Sequence, residues 1–474
     1  MKKRLLFSLL ACIMFVDASA YDFEVDGLCY DIVSIPDRTV EVASCRQPYN
    51  YVNYHFSSVT IPSAVTFQGI TWDVIGIGYS AFFESPLQSI TIPSSIQYIG
   101  ELCFGNTPLK TINGLHRNLL LWDMVFSGAS IESVDISMCR FSDGRQDRNP
   151  SEYEDILVQY GIEPLNQGDD LFAVCSNLTQ VKLPEDVKVL GSGMFFQCRN
   201  LQSITIPLST KAILCQVFNL CTSLKELNLY NVELMCENAI SGCTNLQRVY
   251  LGNIKKVLGS VFSECPSLKD IIMFGTDPVD IPEETFTNGH YVYATLWVPK
   301  GTAEKYRACT GWKNFLNIKE GTPDDAKFAI SVETSEDGNT SFVSSSNMAT
   351  QHLDYVDKGG NRDIIIMPNE GKEIESVTIN GEDVTSTLVE ASANSRPTQS
   401  TGVNTTSSLI LPIKNVDGLK TVEISYKDKG MSGISEVGLG SKIPNGTIYC
   451  LDGRSVTTPQ KGIYIRNGKK YILK

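Results

Sequence analysis

Histidine is scarce in this chain: His55, His116, His290 and His352 are scattered over 474 residues. That leaves a His-rich metal site or a His-based hydrolase few residues to start from. Fourteen cysteines are present but no Cys-x-x-Cys, which removes zinc ribbons and dithiol redox motifs. There is no Gly-x-Ser-x-Gly elbow, no Gly-rich phosphate loop with its Lys, and no His-Glu-x-x-His. Positive charge is short as well, 40 Lys and Arg against 53 Asp and Glu for a net −13. A phosphate-binding surface needs clustered cations, so nucleic acid is not an expected partner. After the first twenty residues, no apolar run reaches the ~20 residues of a transmembrane helix. The carboxylate-rich stretches Glu336-Asp337-Gly338-Asn339 and Asp354-Tyr-Val-Asp357 lack calcium-loop spacing and read as solvated turns. No catalytic, metal or cofactor residue is assigned, and the chain reads as a non-enzyme.

What is present is a 42% hydrophobic composition, sufficient for folded cores, and a length that at ~150 residues per domain suggests about three domains. Residues 1–20 read as a cleaved signal peptide: basic Lys2-Lys3-Arg4, an apolar core from Leu5 to Val16, and Ala18-Ser19-Ala20 before the cleavage point. The competing reading, a lipid on Cys12 of Leu9-Leu10-Ala11-Cys12, shortens the apolar core to six residues and is the weaker one.

A repeat dominates the first two-thirds. Cys175, Cys198, Cys221, Cys243 and Cys265 lie 23, 23, 22 and 22 residues apart, each followed three residues later by Leu. Three residues before each stands Phe172, Phe195, Phe218, Ile240 or Phe262, and after each Leu comes a short strand such as Val181-Lys-Leu183 or Ile204-Thr-Ile206. Upstream, Leu87, Leu109 and Ile131 keep the same frame without the cysteine, with Phe82, Phe104 and Phe126 in step. Val59-Thr-Ile61 reads as the entering strand and Thr285-Phe286 as a degenerate last turn. A unit of this size cannot bury its own apolar residues, so neighbouring units stack around one shared core. About nine coils at ~4.8 Å give an array roughly 45 Å long.

The pattern Phe-x-x-Cys-x-x-Leu-x-x-Ile-x-Ile-Pro, followed by elements such as Ile96-Gln-Tyr-Ile99-Gly100, resembles the BspA-like leucine-rich repeats of bacterial surface proteins over about residues 55–320. The segment from Leu296-Trp297-Val298-Pro299 to Gly311-Trp312-Lys313-Asn314-Phe315 is similar to the piece that closes such arrays. The resemblance implies secretion or surface display, outer-membrane-associated, and binding or adhesion rather than catalysis.

The expected fold is mainly β. A cap at 21–58 precedes a solenoid at 59–320, which carries an insertion at 138–170 and its own C-terminal cap at 294–320. In the first cap, Cys29 and Cys45 flank the turn Pro36-Asp37-Arg38; a disulfide and two unrelated buried thiols are both open. The insertion holds Ser151-Glu-Tyr-Glu154, a capping box opening a helix through Tyr160, and reads as a surface excursion or as part of a binding face. Residues 324–427 alternate like strands, with hairpin turns at Asp337-Gly338 and Asn380-Gly381, and look like a small Ig-like β-sandwich. A linker at 428–445 leads to a β module at 446–474. There Tyr449-Cys450-Leu451-Asp452-Gly453-Arg454 and Gly462-Ile-Tyr464 resemble type IX secretion sorting domains, with Cys450 departing from that pattern.

Strand alternation predicts which side chains of the solenoid point outward. One row runs Thr60, Thr91, Asn113, Asp135, Lys182, Thr205, Asn228, Tyr250, Ile272; its neighbour runs Ser89, Thr111, Ser133, Gln180, Ser203, Glu226, Arg248, Asp270. Tyr and Arg are favoured interface anchors, so the candidate partner-binding face is Gln180, Lys182, Glu226, Asn228, Arg248, Tyr250, Asp270 and Ile272, weighted to the last coils; that those coils instead pack against the cap near Trp297 is equally open. The expected partner is a protein of a host or neighbouring-cell surface or matrix. A glycan bound by the 324–427 sandwich is the alternative, although that segment offers only Phe328, Phe342, Tyr355 and Tyr426 as platforms.

Overall fold

The computed structural model describes residues 21–45, 54–141, 153–163, 168–342, 351–390 and 408–428, and short strands between 437 and 473. The signal-peptide segment with Cys12, and residues 142–152 and 164–167 of the insertion, lie outside the described residues. The chain divides into two compact units at Pro323 and Asp324.

The first unit opens with antiparallel strands Phe23–Val25, Leu28–Ser34 and Thr39–Val42. The first turn is Asp26-Gly27, both at positive φ, the backbone that a two-residue hairpin requires. Cys29 and Cys45 are joined by a disulfide across a Cα separation of 5.7 Å. The buried Tyr54 hydroxyl ties the same corner, donating to the Ala43 carbonyl at 2.6 Å and accepting from the Cys29 N–H at 3.0 Å. Cys29→Ser with Cys45→Ser is expected to cost about 3 kcal/mol, the loop-closure value for a bridge of this span, read as a fall in the urea midpoint.

Thr39–Val42 then pairs in parallel with Ile70–Ile77, and from there coils stack with two rows of parallel strands. The front row contains Ser58–Thr60, Ser89–Thr91 and Thr111–Asn113; then Ser133–Asp135 and Gln180–Lys182; then Glu226–Leu229, Arg248–Leu251 and Asp270–Met273. It is interrupted after Thr111–Asn113, which ends one sheet while Ser133–Asp135 begins another, and again around residues 203–205. The second row runs Tyr98–Ile99, Leu120–Leu121, Arg140–Phe141, and then Val189–Leu190, Ala212–Ile213, Leu234–Met235, Lys256–Val257.

Between the rows sits one continuous core. The rings of Phe82, Phe104, Phe126, Phe172, Phe195 and Phe218 stack in series at 5.4–5.9 Å and within 15° of parallel. The repeated cysteine occupies a slot beside them. Its thiol donates to a main-chain carbonyl of the preceding coil: Cys175 to Phe126, Cys198 to Phe172, Cys221 to Phe195, Cys243 to Phe218 and Cys265 to Ile240, all at 2.9–3.1 Å. A small thiol fits this slot because it fills apolar space and still satisfies a buried carbonyl.

The described part of the insertion packs against the second row. Helix Glu154–Gln159 has no side-chain cap, and Ser151 of the expected capping box is outside the described residues. Leu157 and Ile162 cluster with Val189, Ala212 and Leu234, which face away from the main core, while Leu190, Ile213 and Met235 beside them belong to it. Period-two alternation would leave that outer apolar stripe bare; the insertion covers it. It is therefore more than a bare excursion, and it sits against the row opposite the expected binding face.

At the far end, Thr295–Val298 and Asn317–Glu320 extend the front row in parallel. Helix Ala303–Ala308 and the turn Trp312–Asn314 lie between them in sequence and bring Tyr306 and Trp312 onto the last coil, both fully buried.

In the second unit the strands between Lys327 and Asp428 form two sheets. One has the order Gln351–Asp357, Lys327–Thr334, Lys420–Asp428, Lys372–Ile379, Glu382–Asp383; the other Gly338–Phe342, Arg362–Pro368, Leu409–Ile413, Val389–Glu390. Asn380 and Gly381, at φ 51° and 80°, form a two-residue hairpin turn. Asp337-Gly338 does not: the strands it joins belong to different sheets, and Gly338 is there because a Cβ would collide with the Tyr426 ring. A separate five-stranded sheet holds Ile448–Cys450, Ser455–Val456, Gly462–Arg466 and Lys469–Leu473. Its fifth strand, Val437–Leu439, arises inside the stretch expected to be a linker and pairs with Lys469–Leu473.

Candidate functional site

The front row holds its outward positions in strict register. Ser58, Ser89 and Thr111 align, as do Thr60, Thr91 and Asn113; Ser133 with Gln180 and Asp135 with Lys182. Further on, Glu226, Arg248, Asp270, Thr295 and Asn317 form one file, and Asn228, Tyr250, Ile272, Trp297 and Lys319 the other. Trp297 and Lys319 were not among the expected face residues, because the sequence reads them as cap. The signal was available: both continue the period-two alternation of the preceding strands.

Accessibility along these files is uneven. Gln180 and Lys182 are exposed, Glu226, Asn228 and Asp270 half-buried, and Arg248, Tyr250 and Ile272 buried. The two anchor-type side chains of the last coils, Arg248 and Tyr250, are therefore covered, and the open part of the candidate face lies at Gln180 and Lys182. Arg248 lies between two carboxylates, 3.1 Å from Glu226 and 3.4 Å from Asp270, and Asp270 also accepts the Trp297 indole N–H at 2.9 Å. A guanidinium held this way fixes register between three coils and is not a loose anchor. The Lys319 ammonium lies 5.3 Å from the centre of the Trp297 ring, within cation–π range. Lys182 and Asp135 approach to 3.9 Å, both largely exposed, a pair worth little by itself. Burial raises the Asp135 carboxyl, but hydrogen bonds from the Ser137 hydroxyl and N–H, with Lys182, outweigh it and hold the group below its usual range.

The cysteines do no visible chemistry. Burial pushes the Cys175 thiol up to about 12 and those of Cys198 and Cys221 upward as well; at Cys243 the hydrogen bond with Cys265 raises it most, and burial adds to the rise. Thiolate is the reactive form. Of the ten described free thiols only Cys215 and Cys309 are partly accessible, so those two are expected to react with iodoacetamide at pH 8 in the native protein. The ladder thiols should label only after denaturation, which peptide mass mapping would check.

His290 is buried, its Nε2 2.8 Å from the Cys265 carbonyl, and burial lowers its pKa despite that bond. Among the described residues no group of three or more His, Cys, Asp or Glu is placed to hold a metal ion, and no helix is long and apolar enough to cross a membrane.

Comparison with known proteins places the array. Residues 49–142 and 166–292 match the BspA type leucine rich repeat region in six copies. Among solved structures, a leucine-rich repeat protein from Bacteroides ovatus is 20% identical, covering 64% of this chain and 89% of its own, with a TM-score of 0.33. A leucine rich cell surface protein from Faecalibacterium prausnitzii is 15% identical over 64% and 95%, at a TM-score of 0.24. The pneumococcal vaccine antigen PcpA is 15% identical over 64% and 100%, at 0.30. No curated protein matches the sequence significantly. Through its coils with their shared phenylalanine and cysteine ladders, the array in the first unit of this chain is a BspA-type leucine-rich-repeat region.

Proposed function

We propose that this is an exported, surface-displayed or secreted protein whose leucine-rich-repeat solenoid binds another protein and performs no catalysis. Residues 1–20 serve as its signal peptide, residues 324–427 as an Ig-like sandwich carried behind the array, and the terminal strands as a sorting-like module. The observation that carries the reading is the front row itself, two registered files of hydroxyl, amide and charged side chains presented on a rigid stack. Side chains in fixed register on packed strands lose little freedom on binding, which favours recognition of another macromolecule. The partner expected from the family is a host or neighbouring-cell surface or matrix protein. Glycan binding through 324–427 is less favoured, because Phe328 and Phe342 are buried and offer no stacking platform.

The test is binding of the protein from residue 21 onward to a panel of matrix proteins and to a glycan array, with fragment 21–323 as competitor. The compact first unit should displace the full chain from its protein ligand. Binding that the fragment fails to displace, or a hit confined to glycans, would refute the solenoid as the binding module.

A further inference from the structure

The interruption between Thr111–Asn113 and Ser133–Asp135 is a built cleft. In the other coils the second inward residue of the front strand is large and buried: Ile61, Ile92, Ile136, Leu183, Ile206, Leu229, Leu251 and Met273. In the coil of Thr111–Asn113 that position is Gly114, so a whole aliphatic side chain is missing from the wall. The backbone has moved as well. Gly114 sits at φ 91°, with the Ile92 carbonyl where its Cβ would be, so no larger residue fits.

The consequence is a cavity of about 390 Å³ between the two coils, lined by the aliphatic Ile112, Ile131 and Val134 together with the polar Lys110, Ser133 and Asp135. Its walls carry core positions that are not fully covered. Ile112 and Val134 are half-buried, whereas Ile90, Leu227, Val249 and Ile271 at the same position elsewhere are sealed. Met138 on the rim is 46% exposed.

Among the described residues, no strand pairs with its two edges. Among the described residues Thr111–Asn113 pairs with Ser89–Thr91 alone, and Ser133–Asp135 with Gln180–Lys182 alone. Parallel ladders use alternate residues on each side, so the N–H and C=O of Ile112 face the gap from one side, and those of Ser133 and Asp135 from the other. The coils stay in contact above and below: Ser130 N–H donates to the Thr107 carbonyl at 3.0 Å, and Leu120–Leu121 pairs with Arg140–Phe141.

Two strand edges flanking a slot with an aliphatic floor and a polar rim have the chemistry of an extended polypeptide's binding site: backbone groups at strand spacing and a pocket for one side chain. No aromatic ring lines the cleft, which disfavours a sugar. We infer that this cleft binds an extended segment of a partner protein. The segment bonds through its backbone to Ile112 or to Ser133 and Asp135, and lodges one aliphatic side chain in the space left at Gly114. The inference rests on the reading of the array as a protein-binding solenoid and names where on it a partner chain enters.

The experiment pans a phage library of random dodecapeptides on the protein from residue 21 onward, followed by affinity measurement with the enriched synthetic peptides. Two variants block the cleft without removing core volume: Val134→Phe, which fills it, and Met138→Glu, which charges its rim. Each is expected to weaken binding at least tenfold. N-methylation of one peptide amide in the alternate series should do the same, since it removes a strand hydrogen bond and leaves side chains intact. Amide exchange at Ile112 should slow when peptide is bound. Enriched peptides indifferent to both variants would overturn the cleft while leaving a protein-binding array in place. Failure to enrich any peptide would overturn it too, and the matrix-protein panel would then decide the wider reading separately. Self-association of the protein abolished by Met138→Glu would make the occupant a second copy and also overturn the inference.

Discussion

Phe195→Ala is expected to lower the stability of the repeat array by about 3–5 kcal/mol, the cost of truncating a large buried ring, measured by urea unfolding of the protein from residue 21 onward. The ring is fully buried and stacked between Phe172 at 5.7 Å and Phe218 at 5.5 Å. Its neighbours cannot close the void, because the coils on both sides are pinned. Phe195 donates its N–H to the Val217 carbonyl at 2.9 Å, and its carbonyl accepts the Cys221 thiol at 3.1 Å. A cavity that cannot collapse keeps its full penalty. A loss below about 1 kcal/mol would mean that the stack tolerates a missing ring, which a close-packed interior does not.

Trp312→Ala should cost a similar 3–5 kcal/mol, but its damage should be confined to one end. Trp312 is buried against Phe286 at 5.8 Å and Tyr306 at 5.7 Å, and its indole N–H donates to the Val279 carbonyl at 2.9 Å. Truncation removes the ring that seals the last coil and leaves that carbonyl without its partner. In a stack where each coil touches only its neighbours, instability introduced at the end spreads inward and fades. Hydrogen exchange should show protection lost first across residues 262–320 and kept across 90–220. Uniform loss would mean that the array unfolds as one block.

Most of the array could be read before any coordinates. Leu, Phe and Cys recur at fixed offsets because each fills a slot that every coil must fill, so the period is written in residue identity. The register of the front files follows from the same spacing. The openness of those files does not: Tyr250 and Ile272 alternate as outward residues and are nonetheless buried, since burial depends on what lies above a strand as well as on the strand. The cleft was half legible. Gly114 standing where other coils carry Ile, Leu or Met is visible in the sequence, but the broken ladder beside it is a displacement of backbone that no residue pattern encodes. The role of the insertion was hidden for a similar reason, because Leu157 and Ile162 match Val189, Ala212 and Leu234 only across the fold.

The thiol-to-carbonyl bonds between successive coils make the array a tally whose unit is the whole repeat. From Cys175 to Cys265 each of these five thiols looks back one coil, to a Phe carbonyl in four cases and to that of Ile240 in the fifth, so the bonds recur with the same sense along this stretch. Removing or duplicating one complete coil of 22 or 23 residues would remake every such contact between new neighbours. Deleting a single residue inside a coil would turn a strand face over and misplace the thiol as well. The length of this protein can therefore change in whole steps at little structural cost, and hardly at all between them.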